Sequence, residues 1–102
     1  MSVLFITEYK AVAVASGAGG PLAVALEPPV ATQVVTINLT STASAVFNVD
    51  THFVRLNTDE TCSVKFGASP TATTNDERLA ANQTEFFGIS RAGLSVAVIA
   101  NS

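Results

Sequence analysis

The 102-residue chain contains no tryptophan, one cysteine, one histidine and one tyrosine. With Cys62 alone, no disulfide closes within the chain. One Cys and one His (His52) are too few for a structural zinc site. Charge is scarce too. Asp, Glu, Lys and Arg make up 13% of residues, roughly half of the ~25% of an ordinary soluble domain. The five basic residues, Lys10, Arg55, Lys65, Arg78 and Arg91, are scattered, and the net charge is −3. A phosphate-binding footprint needs clustered cations, so no nucleic-acid partner is expected.

Long apolar runs are missing as well. "AVAVASGAGGPLAVAL" is interrupted by Gly17, Gly19, Gly20 and Pro21, well short of the ~18 residues that read as a membrane-spanning helix. The opening "MSVLFITEYK" lacks the basic stretch of a signal peptide. The expectation is a soluble protein made in the cytoplasm, with no membrane partner.

What the chain does have is alternation. Nothing sustains a helical stripe, and almost every segment reads with period two. "SVLFITEYK" puts Val3, Phe5 and Thr7 on one face and Leu4, Ile6 and Glu8 on the other. "AVAVAS" and "LAVAL" flank the turn "GAGGP". "EPPV", residues 27–30, reads as an extended linker or edge, because consecutive prolines cannot donate ladder bonds. In "TQVVTINL", Val35, Ile37 and Leu39 share a face, and "SAVFNV" groups Ala45, Phe47 and Val49. "THFVRLNT" sets His52, Val54 and Leu56 against Phe53, Arg55 and Asn57. "TCSVKF" places Cys62, Val64 and Phe66 inward, with Ser63 and Lys65 outward. Asp59-Glu60 between these last two runs is a candidate hairpin turn. "TEFFGI" and "LSVAVIA", joined by the "SRAG" turn with Gly93, complete the set, and "NDERLAA" reads as loop.

About eight short strands with regular turn signals predict an all-β fold, a single antiparallel β-sandwich or jelly-roll-like domain. The expected division is an extended N-terminal arm over residues 1–30 and a sandwich core over 31–102, one domain in all.

Catalytic chemistry has few candidates. His52 alternates with Val54 and Leu56 and reads as a partly buried strand residue rather than a base. Cys62 reads as a small core hydrophobe. The pairs Asp59-Glu60 and Asp76-Glu77 lack the interleaved ligands and glycine of a calcium loop and read as solvated turns. "GAGG" is followed by Pro21 rather than by the Lys-Ser/Thr of a phosphate loop. No catalytic, cofactor-binding or metal-binding residue is assigned, and a non-enzymatic protein is expected. Such low charge over a Ser-, Thr- and Ala-rich surface suits a protein that buries surface against neighbours without desolvating many ions. A homo-oligomer is expected. "FGASPTATTNDERL", residues 66–79, is too poor in large apolar residues to form its own core; it reads as subunit contact or as open loop.

The segments "LEPPVATQVVTI" (26–37) and "STASAVFNVDTHFVRLNTDETCSVKFGASPTATTNDERLAANQTEFFGI" (41–89) resemble small proteins encoded among the virion assembly genes of tailed bacteriophages. The shared features are an "EPP" before a Gln-Val strand (Gln33-Val34) and a Phe-Val-Arg-Leu strand (Phe53–Leu56). A "FG-x-x-P-T-A-T" segment (Phe66–Thr73) follows, then Arg78-Leu79 and a Glu-aromatic strand at Glu85-Phe86. The resemblance covers roughly residues 22–100. It implies a small β-sandwich virion component, of the capsid decoration (cement) or head-tail accessory type, located in the virion after synthesis in the bacterial cytoplasm. Its partners would be the major capsid protein or other virion proteins. A tail, neck or fibre component is the alternative within that class. A carbohydrate-binding sandwich module is the alternative outside it, disfavoured by the lack of Trp and resting on Tyr9, since five of the six Phe fall in runs where core packing accounts for them.

Overall fold

The computed structural model describes residues 2–15, 22–25 and 27–101; over Val12–Ala15 and Leu22–Ala25 the backbone alone is described. Its strands are β1 (Val3–Tyr9), β2 (Val12–Ala15), β3 (Leu22–Ala25), β4 (Ala31–Thr36), β5 (Thr42–Ala43), β6 (Phe53–Thr58), β7 (Cys62–Gly67), β8 (Glu77–Leu79), β9 (Thr84–Gly88) and β10 (Ser95–Ala100). Eight of them form two four-stranded sheets, ordered β4-β1-β6-β9 and β5-β10-β7-β8, and β2 pairs with β3 as a separate hairpin. Every pairing is antiparallel. The fold is the expected all-β sandwich.

Alternation fills the space between the sheets. Leu4 and Ile6 of β1, Val35 of β4, and Val54 and Leu56 of β6 face Cys62 and Val64 of β7, Leu79 of β8, and Val96 and Val98 of β10. Each fully buried Val, Leu or Ile contributes about 1.5–3 kcal/mol relative to exposure, so this two-layer core is the main source of stability. Phe47 joins it from an irregular stretch: its amide donates to the Leu94 carbonyl at 2.9 Å, beside β10. The strand expected over "SAVFNV" is therefore an ordered coil, with the shorter β5 just before it.

Three expectations are corrected. Residues 1–30 are not one arm. Strand β1 is paired on both sides, Phe5 opposite Val34 of β4 and Asn57 of β6, and Leu4 and Ile6 lie in the core. What remains outside the two sheets is the β2–β3 hairpin. Asp59-Glu60 does not close a hairpin, since β6 and β7 belong to different sheets. It is a corner, clamped by Val3 N donating to Asp59 Oδ1 at 2.8 Å and by a reciprocal bond pair between Thr58 Oγ1 and the Glu60 backbone. Finally, "NDERLAA" contains a strand, β8, which pairs Cys62 with Leu79.

Removing residues 1–9 takes out a central strand, and the cooperative unfolding transition should be lost in urea followed by circular dichroism. Leu56→Ala should leave the transition cooperative and lower stability by about 2–5 kcal/mol, as large-to-small core changes do.

Candidate interaction surface

The outer faces of the two sheets differ. On the first sheet the register aligns Val34, Phe5, Asn57 and Thr84 in one row, and Thr32, Thr7, Arg55 and Phe86 in the next. Arg55 is the one charged residue in these rows. Large apolar side chains are left in solvent here: Phe5 is 44% exposed, Val34 60% and Phe86 57%. Aromatic rings continue along the face. Tyr9 stacks on Phe53 at 5.1 Å and 17°, and Phe53 leans on Phe86 at 6.2 Å and 47°. Tyr9 itself is buried, and its hydroxyl donates to Glu27 Oε2 at 2.9 Å. The ring on which a sugar-binding reading relied is thus covered. The expectation that strand phenylalanines pack inward is corrected for Phe5 and Phe86.

The middle of the second sheet's outer face is covered by its own chain, while Ala43, Lys65 and Arg78 of the same face stay exposed. The 68–76 segment is tied across it: Ala72 N donates to Ser41 Oγ at 2.8 Å, and Asn101 Nδ2 bonds both Ser63 Oγ and the Thr74 carbonyl. Ala72, Ser63 and Ala97 are buried as a result. Small side chains permit this close approach of loop to sheet, which is what the Ala- and Thr-rich "FGASPTATTNDERL" supplies. Ser63, expected to face solvent, is accordingly buried. Asp76 accepts from Thr73 N and Oγ1 and shapes the turn into β8; it has a local structural role.

Glu8 is a buried carboxylate that the alternation placed on the core face without marking it as special. It is 1% exposed, and such a group is costly to bury unless its oxygens are bonded. Three donors meet it: Asn48 N at 2.7 Å and Thr51 Oγ1 at 2.8 Å on Oε1, and Gln33 Nε2 at 3.0 Å on Oε2. Gln33 in turn bonds both the amide and the carbonyl of Ala45. These contacts pin the 44–51 connection to β1 and β4. Among the described residues no buried side-chain nitrogen or oxygen lacks a partner.

His52 and Cys62 are not brought together. His52 is exposed rather than partly buried, and sits just before β6 with Nδ1 2.7 Å from the Lys10 carbonyl. A carbonyl only accepts, so Nδ1 carries the proton. Cys62 is fully buried and free, with Sγ 3.6 Å from Thr58 Oγ1. Among the described residues no three His, Cys, Asp or Glu side chains stand close enough to hold a metal ion. A cleft of about 360 Å³ opens between the sheets, lined by Phe66, Phe87, Ile89, Leu94 and Arg91 among others. No carboxylate, imidazole or thiol lines it, and Ser90 and Arg91 give it a polar part alongside the phenylalanines.

Glu8→Ala leaves three donors facing a void. At about 1–3 kcal/mol for an unsatisfied buried group, the loss in urea unfolding should exceed that of an exposed carboxylate such as Asp50 changed to Ala. Burial, then the nearby Glu60 and Asp59 charges, push the Cys62 thiol up against the opposing Thr58 hydrogen bond. Burial and Glu27 likewise raise Tyr9, with Arg55 opposing. A raised folded-state value favours the neutral form. Its stabilisation is complete below the unfolded value, roughly 8.5 for Cys and 10 for Tyr, and is lost as pH rises through the folded one. Tm should therefore fall above about pH 8.5, with Cys62→Ala blunting the first part of the fall and Tyr9→Phe the later part. Comparison with known protein families, with curated proteins and with solved structures gives no match to this chain.

Proposed function

We propose that this chain is a non-enzymatic structural subunit of a tailed-phage virion, a capsid decoration protein that binds the assembled shell in many copies. The observation that carries the assembly part of this reading is the bare outer face of the first sheet, with Phe5, Val34 and Phe86 exposed and Arg55 the one charge in its central rows. A single exposed apolar residue needs no explanation, but three large ones on one sheet face point to a partner. Covering this face desolvates almost no charge, so little of the apolar gain is offset. The virion part comes from the sequence resemblance over residues 26–37 and 41–89.

The mechanism is linkage. A protein that binds the closed shell and not its dissociated subunits shifts the equilibrium toward the shell. Repetition over a lattice makes weak individual contacts sufficient. The partner on this reading is the major capsid protein, and no bond is made or broken.

Quantitative mass spectrometry of purified particles tests the reading. The expected result is this chain in a small whole-number ratio to the major capsid protein, with particles lacking it losing their genome at lower temperature. Its absence from particles would end the proposal, and a few copies per particle would move it to the neck or tail.

A further inference from the structure

We infer that two copies of this chain exchange their β2–β3 hairpins, each hairpin lying on the outer face of the other copy's first sheet. The hairpin pairs Val12 with Ala25 through Ala15 with Leu22, and among the described residues it hydrogen-bonds to neither four-stranded sheet. An isolated two-stranded hairpin is marginal in water and needs a further strand or an apolar surface to persist. All eight residues of its strands are apolar, and residues 11–26 contain no charged side chain. Successive strand residues alternate between faces, so neither face of this hairpin carries a polar residue. Either face is therefore suited to lie on another apolar surface.

The same chain presents the surface that lacks cover. The hairpin grows out of the far end of β1 and β4, where Val30 N donates to the Glu8 carbonyl at 2.7 Å. Those two strands also carry Phe5 and Val34. The hairpin is the one element outside the two sheets among the described residues, and the molecule is long, 48 × 27 × 22 Å. Its radius of gyration is 14.3 Å, against roughly 13 Å for a compact chain of this length. Phe5 and Val34 stay exposed, so the hairpin does not cover the face at its own root. A second copy related by a twofold axis resolves both needs, because each arm then reaches the other's face and the contact is made twice. The match is one of character: an uncharged apolar ribbon against a face whose central rows carry one charge, Arg55, among Thr7, Thr32 and Phe86, with Glu27 at the rim on Tyr9.

This inference deepens the assembly reading by naming the first partner as a second copy, and it does not require the assembly to be a virion. Light scattering after size exclusion should report a dimer for the full chain. Val14→Lys with Val24→Lys, which charges the arm, and Phe5→Lys with Phe86→Lys, which charges the face at exposed positions, should each give a monomer whose two sheets still unfold cooperatively. Mixing the two variants should restore a weaker dimer, since one intact arm then meets one intact face. On the unmodified chain, hydrogen exchange should slow at amides 12–15 and 22–25 as concentration rises. A monomeric full chain, a dimer that survives either pair of lysines, or exchange in the hairpin that ignores concentration would overturn the inference. A monomer that still binds shells would overturn the exchange and leave the decoration reading standing; a dimer that does not bind them would do the reverse.

Discussion

Strand β1 hydrogen-bonds on both sides, to β4 and to β6, and most other features of the molecule follow from that position. Seating the N-terminal strand in the middle of a sheet commits Leu4, Ile6 and Glu8 to the interior and Phe5 to the outside. It also brings β4 back beside its own start, so the intervening residues must leave the sheet and return. The β2–β3 hairpin is the form that excursion takes. A strand at an edge could slip its register at modest cost. One paired on both sides cannot, because a one-residue slip would turn every side chain to the wrong face.

Glu8 shows what such a commitment requires. Its carboxylate is carried inward by the same alternation that buries Leu4 and Ile6, and burial without partners would be prohibitive. The 44–51 segment supplies two donors and Gln33 the third. The irregular path after β5 is therefore ordered by an interior charge as well as by Phe47 in the core. The charge and the loop depend on each other: without the loop Glu8 would be unpaired, and without Glu8 the loop would lose its anchor.

The two outer faces then diverge for a reason of chain length and composition. Between β7 and β8 lies a segment long enough to cross a sheet and small enough in its side chains to lie flat on it, and it buries Ser63 and Ala97. No comparable segment of described residues is tied over Phe5, Val34 and Phe86. One sheet is thus covered over Ser63 and Ala97 by its own chain, and the other keeps Phe5, Val34 and Phe86 exposed. That asymmetry, together with the scarcity of charge, is what the proposed assembly role rests on.

Much of the fold was legible in the sequence. Period-two alternation determined that the chain is all-β and which residues share a face: Leu4 with Ile6 and Glu8, Val54 with Leu56, Cys62 with Val64. It could not say which face of each strand would be covered, because that depends on what packs above it. Phe5, Phe86 and Ser63 were misjudged on that account, the phenylalanines by hydrophobicity and the serine by polarity. Nor could it say which strands are neighbours. Asp59-Glu60 looked like a hairpin turn between two good strands, yet those strands entered different sheets. Adjacency along the chain is a local property, whereas strand partnership is settled by burial and backbone pairing across the whole domain. Local patterns therefore determined most of the strands and which residues share a face; only the tertiary structure decided the coil around Phe47, the short strand β8, the sheet order, the partners of Glu8 and the face left bare.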